Sequence, residues 1–146
     1  MNVPTYRIGL VQAQAYRQLQ LIYHTALEPY GLTIPEWSLL GIIYDEGTLS
    51  LTQITAILQS KASHPTVLVE RLVQQNLLKR DSVTSDKRVK MISITRKGRE
   101  LVPNVERHAR VKLSEALSGL SRAELNDYFD ILKKISKSNY SHSNLM

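Results

Sequence analysis

Between residues 51 and 94 two short apolar-patterned runs stand three residues apart and lead straight into a polar, basic segment, a combination that few folds accommodate. The first run is Leu51-Thr52-Gln53-Ile54-Thr55-Ala56-Ile57-Leu58, and the second is Ala62-Ser63-His64-Pro65-Thr66-Val67-Leu68-Val69-Glu70-Arg71-Leu72-Val73, with Gln59-Ser60-Lys61 between them. So short a connection has the spacing of a helix-turn-helix. The segment from Lys79 to Lys90 is too polar for a core and reads as a basic hairpin. DNA is the natural partner of such a unit.

Charge supports that partner. Eight cationic residues (Lys79, Arg80, Lys87, Arg88, Lys90, Arg96, Lys97, Arg99) face two acidic ones (Asp81, Asp86) between Lys79 and Arg99, a local excess that equals the whole chain's net +6. At 146 residues the chain fits one domain with a real core. Its 42% hydrophobic and 22% charged residues argue against disorder, and its apolar runs fall far short of the roughly 20 residues a bilayer requires. No signal-like segment opens the chain, so a cytoplasmic protein without a membrane partner is expected. With no cysteine, disulfides, thiolate metal sites and cysteine redox sensing are excluded.

Upstream, Ile8, Val11, Ala15, Leu19, Ile22 and Ala26 recur every three or four positions from Tyr6 to about Glu28, one face of a long amphipathic helix that Pro29 and Gly31 end. That stripe needs a cover, which a second subunit would supply. Thr33-Ile34-Pro35-Glu36 is a capping box and predicts a helix from Ile34 carrying Trp37, Leu40, Ile43 and Tyr44, stopped by Asp45-Glu46-Gly47. Thr48-Leu49-Ser50-Leu51 predicts a small strand. Thr52 is placed to cap the next helix, whose buried edge is Ile54, Ile57 and Leu58. Ser60 or Ser63 caps the helix after it, with His64 and Pro65 in the first turn. Leu68 and Leu72 face inward, with Val69 a further candidate, which leaves Ser63, His64, Thr66, Val67 and Glu70 outward.

Asn76 falls where a left-handed cap is expected. Leu77 and Leu78 begin a strand whose partner is Val89-Lys90-Met91-Ile92-Ser93-Ile94, and the glycine-free connection from Ser82 to Arg88 predicts a longer, mobile loop. Thr95-Arg96-Lys97-Gly98 opens a helix with Leu101, Val105, Ala109, Leu113, Ala116 and Leu117 on one face. Pro103 should bend it unless the helix starts later. Ser121-Arg122-Ala123-Glu124 is a second capping box and opens a last helix with Leu125, Tyr128, Phe129, Leu132 and Ile135. The polar tail from Ser136 frays.

This order of elements resembles the MarR family of winged-helix transcription regulators over nearly the whole chain. The residues that carry the resemblance are Gly31-Leu32-Thr33, Leu51-Thr52, Ser63 and Thr66 with Leu68-Val69 and Arg71-Leu72, then Asp86-Lys87-Arg88 and Ile94-Thr95-Arg96-Lys97-Gly98. The last two are the most telling, an Asp-x-Arg in the wing followed by a Leu-Thr-x-x-Gly-like turn into the next helix. Family members often read Thr-Val-Thr-Arg early in the recognition helix. Here that segment is His64-Pro65-Thr66-Val67, and Asn76 stands where a glycine is usual.

The resemblance implies a mainly α fold with a small β wing and a single domain over 1–146. Within it, 33–97 would be the winged helix-turn-helix lobe, and 5–30 and 98–137 the dimerisation helices. A homodimer on double-stranded DNA follows, acting as a repressor released by a small aromatic or anionic effector. Tyr23, His24, Trp37 and Tyr44 are candidates for the effector pocket, although Trp37 and Tyr44 also suit the core of their helix.

A helix in the major groove reads bases with short polar side chains near its N-terminus, and its free amides there favour phosphate. Lys61, Ser63, His64, Thr66 and Val67 are the candidates: His64 for guanine N7 or O6, and the methyls of Thr66 or Val67 for thymine. By resemblance Arg88 enters the minor groove and Asp86 orients it by an ion pair. Lys79, Arg80, Lys87 and Lys90 suit phosphates. One helix reads only a few base pairs, so specificity calls for two helices about 34 Å apart, and hence a dimer.

An enzyme is a poor fit. The four histidines, His24, His64, His108 and His142, are dispersed, and no Gly-x-Ser-x-Gly, His-Glu-x-x-His or phosphate-binding glycine loop occurs. No cofactor or metal is expected. The alternatives kept are a winged-helix protein that binds a protein partner and, behind it, a metal site at His108 with Glu106.

Overall fold

A computed structural model describes residues 2–58, 64–83 and 86–137, with 82, 83 and 86–88 described by backbone alone. The order of elements is α1 (Thr5–Leu27), a 3-10 turn (Glu28–Tyr30), α2 (Ile34–Glu46), β1 (Leu49–Ser50), α3 (Leu51–Leu58), α4 (Pro65–Gln74), β2 (Leu78–Val83), β3 (Asp86–Ile94), α5 (Arg96–Ala116) and α6 (Arg122–Ser136). The chain divides into two compact units, Met1–Leu113 and Ser114–Met146. The mainly helical fold with one small sheet is the expected class. Among the described residues no helix is long and apolar enough to cross a membrane.

The core of the first unit gathers Leu27 of α1, Leu39, Leu40 and Ile43 of α2, Ile54 of α3, Leu68, Val69 and Leu72 of α4, strand residues Leu78, Ile92 and Ile94, and Val102 and Val105 of α5. Helix α1 buries only Ala26 and Leu27. The rest of its predicted stripe is exposed or half-buried.

Local signals explain where the helices begin. Thr33 Oγ1 accepts from the Glu36 amide at 3.4 Å while Glu36 Oε2 accepts from the Thr33 amide at 2.8 Å, the predicted capping box. Ser121 and Glu124 repeat it at α6. For α3 the cap is Ser50, not Thr52. Ser50 Oγ accepts from the Gln53 amide and Gln53 Oε1 from the Ser50 amide, so the strand stops one residue earlier and Thr52 lies inside the helix. Ile57 is exposed rather than part of the buried edge, while Ile54 is in the core and Leu58 packs partly buried against it.

Helix α4 starts at Pro65, with His64 at the cap position instead of in the first turn. Proline lacks the donor that the first helical residue does not need. Ser60 and Ser63, the predicted caps, lie outside the described residues. Asn76 has φ 59°, the only positive φ of a non-glycine among the described residues, as a left-handed cap demands.

The hairpin differs most from expectation. The β2–β3 ladder continues past Lys79↔Ser93 and Asp81↔Met91 to Val83↔Asp86, with an irregularity between Ser82 and Val83. Ser82, Val83 and 86–88 are therefore strand, since a ladder is held by backbone hydrogen bonds and does not need apolar side chains. Thr84 and Ser85 lie outside the described residues. β1 pairs with the other edge of β3, giving the order β1-β3-β2. Helix α5 starts at Arg96 and runs on through Pro103, burying Gly98, Val102, Val105 and Ala109. Val105 and Ala109 of the predicted face are buried, whereas Leu101 is half-buried beside buried Val102 and Ala116 is exposed.

Candidate nucleic-acid interface and ligand cleft

Helix α4 turns Leu68, Val69 and Leu72 into the core, and its 3.6-residue period leaves Thr66, Val67 and Glu70 outside together with His64. At its entrance the His64 side chain makes no capping hydrogen bond, and the His64 carbonyl accepts from the Leu68 amide at 3.1 Å. Lys61 and Ser63, expected on the same face, lie outside the described residues.

The flank of α4 is anchored by charge. Glu36, at 3% exposure the one buried charged residue among the described residues, sits 3.8 Å from Arg71 while its other oxygen serves the α2 cap. A buried carboxylate needs partners for its lone pairs, and here they tie α2 to α4. Arg80 lies 3.6 Å from Glu70. Strand alternation explains this pair, since Arg80 shares the face of buried Leu78 and so points toward α4, while Lys79 and Asp81 point the other way and meet at 3.4 Å. Arg80, expected on a phosphate, contacts Glu70 through one Nη, and its guanidinium has further donors beyond that contact. Lys90 is exposed, opposite Ser82. Asp86, Lys87 and Arg88 have their backbone at the start of β3, and their side chains lie outside the described residues.

The four predicted effector residues do not share one cavity. Trp37 and Tyr44 of α2 line a cleft of about 610 Å³ against Val102, Pro103, Arg107 and Arg110 of α5. Tyr23 meets Trp37 in an adjoining cleft of about 420 Å³. His24 lines a third, of about 620 Å³, with Gln20, Leu21 and the start of α2. Sequence reasoning missed Arg107, which has no ion-pair partner among the described residues, whereas neighbouring Arg110 is held by Glu106 at 2.7 Å. The signal is the spacing of Pro103, Glu106, Arg107 and Arg110 on one side of α5, but only the packing of α5 on α2 gives it meaning. Glu106 is thereby committed to Arg110, and among the described residues no group of three or more His, Cys, Asp or Glu gathers to hold a metal.

Residues 32–90 match the model of the MarR family. The chain is similar to the HTH-type transcriptional regulator MhqR of Bacillus subtilis (strain 168), 27% identical over 135 residues that cover 92% of this chain and 93% of that protein. Among solved structures it is similar to BpsR of Bordetella bronchiseptica, studied for regulation of its DNA binding by 6-hydroxynicotinic acid (TM-score 0.80, 23% identity, 90% of this chain and 94% of that one). It is also similar to a mutant MarR of E. coli complexed with operator DNA (TM-score 0.77, 18% identity, 88% and 93%). These two structures share its fold.

Proposed function

We propose that the chain is a MarR-family regulator and works as a cytoplasmic, homodimeric, sequence-specific transcription regulator, a repressor that a small ligand releases from DNA. The observation that carries this reading is the outward face at the start of α4, where His64, Thr66 and Val67 stand clear of the core on a helix packed against the basic hairpin. The imidazole donates to guanine, the methyls of Thr66 and Val67 meet thymine, and the free amides donate to phosphate, with Lys61 and Ser63 just upstream. Arg88 enters the minor groove with Asp86 orienting it, and Lys87 and Lys90 take phosphates. Residues 33–97 form the reading lobe, and 5–30 and 98–137 the dimerisation helices. The exposed apolar faces of α1 and of α6 supply the dimer surface, which two half-sites about 34 Å apart require.

The α2–α5 cleft suits the effector. An aromatic ring packs on Trp37 and Tyr44, and a carboxylate meets Arg107, whose guanidinium offers a planar fork of donors. The operator complex of the E. coli relative and the ligand-regulated DNA binding of BpsR support both halves of the reading.

The test is a gel-shift titration on the promoter region beside the protein's own gene. Tight, salt-sensitive binding is expected, and Arg88→Ala should weaken it by at least about 1 kcal/mol without lowering thermal stability. No shift even at low salt would overturn the DNA reading in favour of a protein partner.

A further inference from the structure

The motif Ile94-Thr95-Arg96-Lys97-Gly98 has no part in the DNA contacts above, yet it makes a dense set of contacts with the exit of α4. The last carbonyls of a helix lack intrahelical partners. Beyond α4 the Gln75 carbonyl accepts from Lys97 Nζ at 2.9 Å and the Asn76 carbonyl from Thr95 Oγ1 at 2.7 Å. The Leu77 carbonyl accepts from the Thr95 amide at 3.0 Å and lies 3.2 Å from the same hydroxyl. A hydroxyl has one hydrogen to give, and the shorter contact marks Asn76 as its acceptor. Its lone pair takes the Gly98 amide at 3.1 Å, so a single side chain caps the start of α5 and closes the exit of α4. Gly98 keeps the two segments in contact, because a Cβ there would overlap the Leu77 carbonyl oxygen and the Ile94 side chain.

We propose that the first turn of α5 is a clasp that sets the pose of the recognition helix, with Thr95 and Lys97 as positioning residues for DNA binding and Lys97 serving a carbonyl rather than a phosphate. This rests on the DNA reading above. Ten helical residues span about 15 Å, so a tilt of about 4° at the exit moves the entrance by about 1 Å. Base-edge hydrogen bonds do not survive such a shift, whereas attraction to phosphates does. The clasp therefore governs sequence discrimination more than total affinity. The cationic Nζ at the negative end of the helix dipole adds to the hold.

The test compares Thr95→Val, Thr95→Ser, Lys97→Met and Lys97→Arg on two duplexes over a range of salt. One duplex is selected by the parent protein from a randomised pool, and the other is its scrambled counterpart. Amide hydrogen exchange of residues 68–77 is followed in the free proteins. Thr95→Val should lose about tenfold on the selected duplex, the equivalent of one hydrogen bond. Lys97→Met should lose about threefold, in keeping with an exposed contact. Both should hold the scrambled duplex and the salt slope unchanged and should speed exchange at the exit of α4, while Thr95→Ser and Lys97→Arg behave as the parent. Equal losses on both duplexes, with a slope shallower by about 0.9 for Lys97→Met, would make Lys97 a phosphate ligand and overturn its role. Unchanged exchange in both Thr95→Val and Lys97→Met would overturn the clasp. If Thr95→Val does not fold, Lys97→Met decides. A parent that selects no duplex sinks the DNA reading itself, an outcome visible before any variant is measured.

Discussion

Helices α4 and α6 are both amphipathic, and they are opposite in what they leave open. Helix α4 buries Leu68, Val69 and Leu72, is tied by Glu36 and Arg80 along its flank and by Thr95 and Lys97 at its exit, and takes no side-chain cap from His64 at its entrance. Helix α6 has a complete capping box at its entrance and buries none of its residues, leaving Phe129, Ile131 and Leu132 exposed. One helix is fixed by its side; the other is closed at its end and free along its side. A helix whose work is to present its first turn to DNA gains from first-turn amides that can donate to phosphate. A helix whose work is to meet another surface gains from an exposed apolar stripe.

The largest expected effect attacks the buried side of α4. Leu72→Ala removes a fully buried side chain and should cost about 2–5 kcal/mol in urea unfolding, and a loss under about 1 kcal/mol would mean that α4 is not held by its core face. The corresponding change on α6, Phe129→Glu, should leave the unfolding of the protomer nearly unchanged and halve the mass in sedimentation at micromolar concentration. Aromatic anchors of interfaces commonly contribute about 2 kcal/mol or more. A dimer that persists would give α6 some other role. At the start of α4, His64→Ala should weaken operator binding by about 1 kcal/mol and move stability by no more than about 0.5 kcal/mol. The reverse pattern would make His64 a structural residue.

Features written in short-range chemistry are legible in the sequence. Thr33 with Glu36, Ser121 with Glu124, Asn76 and the inward row of α4 each need only neighbours along the chain. Ser50 with Gln53 is equally local, but extending the strand through Leu51 hides it. The length of the hairpin is not legible from side chains, because the pairing from Ser82 to Val83 is a backbone matter. The site is readable as a class and not as an arrangement. Arg80 reads as a cation, but its attachment to Glu70 depends on which face of β2 meets α4, and the cleft around Arg107 depends on how α5 packs on α2. The clasp is the same kind of fact, a motif visible as letters whose meaning is a contact across about twenty residues of chain.

The smallest effect tests the closed end of α6. The Ser121 amide and hydroxyl, in that order, hold the Glu124 carboxyl below its ordinary range. A carboxyl depressed in the folded state contributes fully above its unfolded pKa, and that contribution is lost as pH falls through the folded value. The cap should therefore be intact at neutral pH and weaken only in acid. The carboxyl resonance of Glu124 should titrate below the normal carboxylate range, with exchange of the Ser121 and Glu124 amides rising over the same interval. Glu124→Gln keeps the reciprocal bond without a titrating group, so it should abolish that acid step and leave the α4 amides unaffected. Titration of Glu124 at or above its ordinary value would remove the cap from the account of α6. An acid step of equal size at the entrance of α4 would erase the distinction between the two helix ends.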